Sequence, residues 1–198
     1  MQNNRPSLTP RLLALIPLAV GINLAMGKIV AALALPVFLD TVGTVLVAAL
    51  AGTWPAVITG FVSQIAFTVL DARIMWLFFL PVQLFVALYA GLAATRAAFR
   101  SPLPAATWGL GLGVLAATLA WPIALYVFGG VTAGGVTVIT TVLTGLGVPL
   151  GWAVFTASLS ADLLDKMITF LLVFAVLRSL PKQMGARFPA AARAQGRS

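Results

Sequence analysis

AATWGLGLGVLAATLAWPIALYV occupies residues 105–127, and nothing in it is charged. At about 1.5 Å of helical rise per residue, such a run crosses the roughly 30 Å hydrocarbon layer of a bilayer. Working outward, the uncharged stretch extends over 101–161, and others cover 12–27, 29–39, 41–70, 74–95 and 167–177. Of 198 residues, 61% are hydrophobic and 8% charged. Soluble domains hold about 45–50% and about 25%. So few charges cannot cover a water-facing surface, and the hydrophobicity excludes disorder. The expectation is an all-α integral membrane protein.

The charged residues and turn signals divide the chain. Residues 1–11 read as a polar leader at the cytoplasmic face, 12–180 as a six-helix membrane domain, and 181–198 as a basic, disordered cytoplasmic tail. A first helix is expected from about Pro10 to Leu33, with Pro17 inside it and Pro36 beyond it. It is kept as a transmembrane helix, because no small-residue cleavage site follows it. Gly52-Thr53-Trp54-Pro55 is a turn signal that splits 41–70 into a short helix at about 41–51 and another at about 55–70. Further helices are expected at about 76–95, 105–127 and 160–180. The Thr- and Gly-rich segment 136–158, broken by Pro149, either spans the membrane or caps a cavity from outside. Gly129 to Gly135 reads as a flexible loop.

Basic residues favour the cytoplasmic side of membrane proteins. Splitting 41–70 puts both termini inside, together with Arg5, Arg11, Arg96, Arg100 and the C-terminal basic cluster. Lys28, Arg73 and Lys166 then lie toward the outside. These positions explain the net charge of +8 as a topology signal, so no nucleic-acid partner is expected.

The residue inventory narrows the chemistry. The chain has no Cys, no His and no Glu, and its whole anionic set is Asp40, Asp71, Asp162 and Asp165. Disulfides, thiolate nucleophiles, Cys/His metal sites and serine–histidine catalysis are therefore excluded. No phosphate loop is present, so the chain does not itself hydrolyse ATP. The expectation is a protein without enzymatic activity, cofactor or metal.

Ionisable groups at apolar spans are costly and point to function. Asp162, Asp165, Lys166 and Thr169 are spaced i, i+3, i+4 and i+7, on one helical face. Two acceptors and an ammonium there would suit a polar heterocycle; helix-end charges in an i,i+4 pair are the plainer alternative. Lys28 and Asp40 fall toward the same outer end and join the substrate-binding candidates. Asn23 and Gln83 lie in apolar helices, as does Gln64, where such side chains either bond across helices or meet ligand. Trp121 and Tyr126 serve as belt aromatics or stack on a flat ligand. Gly21-x-x-x-Ala25 and Gly27-x-x-x-Ala31 place small residues where another helix can approach closely.

The run Ile22-Asn-Leu-Ala-Met-Gly-Lys-Ile-Val resembles the substrate-binding S component of energy-coupling factor (ECF) transporters. So do Leu35-Pro-Val-Phe-Leu-Asp-Thr-Val-Gly-Thr, Phe128-Gly-Gly-Val-Thr and Ser160-Ala-Asp-Leu-Leu-Asp-Lys. The Leu-Asp-Thr-Val-Gly element is similar to the riboflavin-transporter-like branch. The resemblance covers most of 12–181. It implies six transmembrane helices, with outer loops closing a pocket for a vitamin or related micronutrient. It implies docking on a transmembrane coupling subunit and two ATPase subunits in a prokaryotic cell membrane. The outer halves of the later helices would hold the substrate, and Gly21 and Ala25 would contact the coupling subunit. The chain departs from the family in carrying Gly-x-x-x-Ala where two alanines are usual.

A second class, an autonomous ion-coupled transporter, calls for acidic groups at the membrane midplane. On this reading of the spans the four Asp sit near helix ends, which favours substrate capture.

Overall fold

A computed structural model describes residues 10–132, 135–180 and 188–196. Among them every regular element is helical: α1 (Pro10–Ala32), α2 (Val42–Ala51), α3 (Thr53–Asp71), α4 (Met75–Phe78), α5 (Leu80–Thr95), α6 (Pro102–Pro122), α7 (Gly135–Gly145), α8 (Leu150–Ser179) and α9 (Pro189–Ala194). The leader residues 1–9, two loop residues at 133–134, and Lys182, Arg187 and Arg197 of the tail lie outside the described residues.

The outward faces of the helices are apolar, and a set of polar side chains is buried within the apolar core. Leu18, Ile29, Phe61, Val69, Leu70, Leu103, Val114, Leu119, Leu172 and Val176 are exposed on the helices, while Asn23, Thr44, Ser63, Gln83, Asp162, Asp165, Lys166 and Thr169 are buried. A water-soluble fold does the opposite. Such a surface suits hydrocarbon, where exposed apolar groups cost nothing and polar groups must find partners inside. Three helical stretches, Ala14–Ala32, Thr53–Asp71 and Pro102–Val127, are long and apolar enough to cross a membrane. With its 30 residues, α8 is longer still, but its middle carries Asp162, Asp165 and Lys166.

The centre of the bundle is α2. Every residue from Val42 to Leu50 is buried. Its ten residues rise only about 15 Å, half a bilayer, and the helix is enclosed on all sides by protein. Gly52 adopts φ 95°, a left-handed conformation that favours glycine, and this one residue turns α2 into α3. The turn signal at 52–55 marks this break, and α3 starts two residues before the expected position.

Close packing rests on glycines that face backbone. A Cβ on Gly43 would lie 2.1 Å from the Ala19 carbonyl oxygen, so α1 and α2 touch main chain to main chain. On α6, a Cβ on Gly109 would sit 2.6 Å from the Lys166 carbonyl oxygen, and one on Gly113 would sit 2.7 Å from that of Asp162. The Gly109-x-x-x-Gly113 pair therefore seats α6 on the turn of α8 that carries the charges, as small residues do in membrane helix pairs.

Three expectations change. The last long helix starts at Leu150, about ten residues before the expected 160, because Pro149 with ψ 138° caps its N-terminus instead of breaking a segment. Residues 136–158 are thus not one unit: α7 is a separate helix of 11 residues, and 150–158 belong to α8. The helix expected at 76–95 is divided at Phe79 into α4 and α5. Beyond Pro122, which has no N–H to give, α6 continues as one π turn, Ile123–Val127.

Part of the tail expected to be disordered is folded. Helix α9 packs on α2 and α5. The Phe99 amide donates to the Ala194 carbonyl at 3.0 Å, and the Gln195 side chain donates to the Leu177 carbonyl at 2.9 Å. Ala191 and Ala194 are buried there.

Candidate functional site

The loop 33–41 is fastened to α8 by one carboxylate. Asp165 Oδ1 accepts the amides of Phe38 at 3.0 Å and Leu39 at 2.6 Å. Leu39 has φ 50°, a conformation side chains rarely adopt, and the bond to its amide holds it. Asp165 Oδ2 pairs with the Lys166 ammonium, which also lies 3.5 Å from the Thr41 hydroxyl and 3.9 Å from Asp162. All of these charged groups are nearly or fully buried.

Beside this cluster lies a cavity of about 90 Å³. One water molecule needs ~10–15 Å³ by the same kind of measure, so the space suits a small organic molecule or several waters. Asp40, Asp162, Lys166 and Ser158 supply its charged and hydroxyl side, together with Gln64, Gln83, Thr41 and Thr132. Phe38, Trp76, Phe79, Val82 and Val86 supply apolar wall. A mostly apolar enclosure with a few convergent polar groups is the usual form of a small-molecule site.

Trp76 is fixed from three sides. Its ring stacks on Phe67 with centroids 4.9 Å apart, its Nε1 donates to Asp71 Oδ2 at 3.0 Å, and its carbonyl accepts from the Gln64 amide. Asp71 in turn pairs with Lys28 at the rim.

Of the sequence candidates, Asp40, Gln83, Asp162 and Lys166 line the cavity. Asp165 stands behind Lys166. Thr169 is buried a turn further along α8, and its hydroxyl has no partner among the described residues. Lys28 does not line the cavity; it reaches the wall through Asp71 and Trp76. Asn23 lies inside the bundle, where it donates to Thr44 and Ser63, each at 2.9 Å, and accepts the Gly43 amide at 2.7 Å. Those three bonds fasten α1, α2 and α3 together. Trp121 and Tyr126 stand apart, in an aromatic group with Trp152 and Phe155 around a second hollow. Gly21 and Ala25 are on an exposed face of α1, and a Cβ added at Gly21 would meet nothing within 4 Å. Gly27 differs: its Cβ would sit 2.9 Å from the Phe67 ring, so that position packs internally.

Sequence reading missed Ser158, Thr132, Phe38 and Phe79 as cavity lining. Ser158 had a signal, since it precedes Asp162 by one helical turn. The two phenylalanines carried none.

Among the described residues, no three Asp, Glu, His or Cys side chains come together as a metal site. No family model, curated protein or solved structure matches the chain.

Proposed function

We propose that the chain is the membrane substrate-capture subunit, the S component, of an ECF-type ATP-driven importer for a vitamin or related micronutrient. The observation that carries this reading is the cavity: charged and amide side chains gathered inside an apolar body, beside the loop 33–41 and the segment 72–79 that holds α4. A capture subunit needs such a chamber and no catalytic set. The exposed Gly21/Ala25 face of α1 supports a docking role toward the coupling subunit, because none of the described residues comes within 4 Å of a Cβ built at Gly21. In the proposed topology six segments span a prokaryotic cell membrane and both termini face the cytoplasm. The Phe99–Ala194 bond supports it by placing the basic loop 96–100 and the C-terminal helix at one end, as the positive-inside rule asks.

One observation favours the ion-coupled alternative. With α8 starting at Leu150, Asp162 and Asp165 lie near the middle of a helix of 30 residues, not at its end. Acidic groups at such positions serve proton and ion relays. Native mass spectrometry of the protein freshly extracted from membranes, paired with uptake assays, separates the two. Capture predicts one tightly held small molecule, and uptake that stops without the ATPase subunits. Uptake that instead persists without them and collapses with the proton gradient would establish the alternative.

A further inference from the structure

The cavity carries more negative charge than its one ammonium can match. Lys166 forms a close pair with Asp165, and Asp165 is further held by the amides of Phe38 and Leu39. Those two residues form a neutral unit. Asp40 and Asp162 remain, both facing the cavity. Asp162 is 5% exposed and lies 3.9 Å from the Lys166 nitrogen, beyond hydrogen-bond reach. It makes no hydrogen bond to any described residue. Ser158, one turn earlier and also 5% exposed, lines the same space, and so does Thr132, whose buried hydroxyl has no hydrogen-bond partner among the described residues. The Asp162 carboxylate and the Thr132 hydroxyl thus bring unmatched bonding capacity to the same cavity. A buried carboxylate whose only charged partner stands 3.9 Å away is stabilised by a ligand that brings positive charge within hydrogen-bond distance.

The partner's chemistry follows from the walls. A metal ion would need converging ligands, which the described residues do not provide. The indole of Trp76 and the rings of Phe38 and Phe79 line the cavity beside the carboxylates. Aromatic faces attract cations and stack on flat rings. An anion would meet two carboxylates with the ammonium already engaged.

Resting on the capture reading, we propose that the ligand is an organic cation built on a flat ring, its charge set against Asp162 and Asp40 and its ring against Trp76 and the phenylalanines. Ser158 accepts or donates one further hydrogen bond to it.

Three probes of one shape test this: 1-methylnicotinamide (a permanent cation), nicotinamide (neutral) and nicotinate (an anion). Calorimetry on the full chain in detergent at neutral pH should show the cation binding roughly tenfold or more tighter than the anion. Asp162→Asn should erase most of that difference, and the comparison on the parent chain stands even if the variant folds poorly. If nicotinamide or nicotinate binds best, the cation class is overturned while the capture reading stands. If none binds up to its solubility limit, the cation class is overturned, and the capture reading stands or falls on the native mass spectrometry and uptake assays. If the cation binds as expected but uptake does not need the ATPase subunits, the cation class holds and the capture reading fails.

Discussion

Asp40 and Asp165 are neighbours with opposite roles. Asp40, in the loop before α2, is packed round by protein, and this burial pushes its carboxyl up to about 6, against an ordinary 3.8; Lys166 opposes the rise and Asp165 adds to it. The folded chain therefore keeps the Asp40 proton to higher pH than the unfolded chain does. Its stabilising contribution is complete below about 3.8 and is lost as pH rises through about 6. Asp40→Asn removes that dependence and leaves Asp162, Asp165 and Lys166 facing the position as before. Melting temperatures of parent and variant should diverge between pH 4 and 7, with the parent losing ground as pH rises. Parallel profiles would show that Asp40 does not titrate in this window. Asp165 is structural in the first place. Asp165→Ala strips the partner from a buried ammonium and frees two amides, and breaking such a buried pair costs roughly 3–5 kcal/mol. A melting temperature unchanged by this substitution would dismiss the strap between loop 33–41 and α8.

Two glycines on different helices make contrasting cases. Gly113 faces the α8 backbone at Asp162, and Gly21 faces open space. Gly113→Leu should force α6 off α8, costing roughly 1–3 kcal/mol or more by overpacking, and ligand binding should fall with it. Gly21→Leu should leave stability within about 0.5 kcal/mol and leave ligand affinity intact, yet abolish uptake and co-purification with the ATPase subunits. Uptake that survives Gly21→Leu would remove the docking role from this face. The elements themselves were legible where local chemistry decides them: the α2–α3 break at Gly52, the extent of α1 and the end of α8. The start of α8 was not, since a proline reads equally as a breaker and as an N-terminal cap until its neighbours are placed. Helix α9 was hidden because its alanines and Arg193 look like solvated tail, and only its packing on α2 and α5 gives its alanines something to cover. The charged face of α8 could be read from spacing, whereas Phe38, Trp76, Phe79 and Thr132 meet only in three dimensions.

For the whole molecule, the ends of the bundle differ in character. One gathers Lys28, Asp71, Trp76 and the cavity loops; the other gathers Arg100, Phe99 and α9. The chain has no cysteine, so single cysteines report without background. Arg73→Cys and Arg100→Cys both place a thiol at an exposed position. An impermeant thiol reagent applied to intact cells should label position 73 and spare position 100. The reverse pattern would invert the proposed topology and place the cavity mouth inside the cell.

The strap at Asp165 also bears on how the protein is made. Asp165 and the Leu39 amide that it holds are 126 residues apart. At about 5–20 residues per second, synthesis separates them by on the order of ten seconds. Throughout that interval the amides of Phe38 and Leu39, along with Asp40, have no α8 to receive them. Helix α8 is the last long helix to be made and is the poorest candidate to enter lipid unaided, because each Asp or Lys at a helix centre costs about 2.5–3.5 kcal/mol on insertion. Its entry is therefore coupled to the helices already waiting. In the proposed topology, biogenesis ends with one cooperative step, in which the final long helix enters the bilayer and the polar interior closes around it.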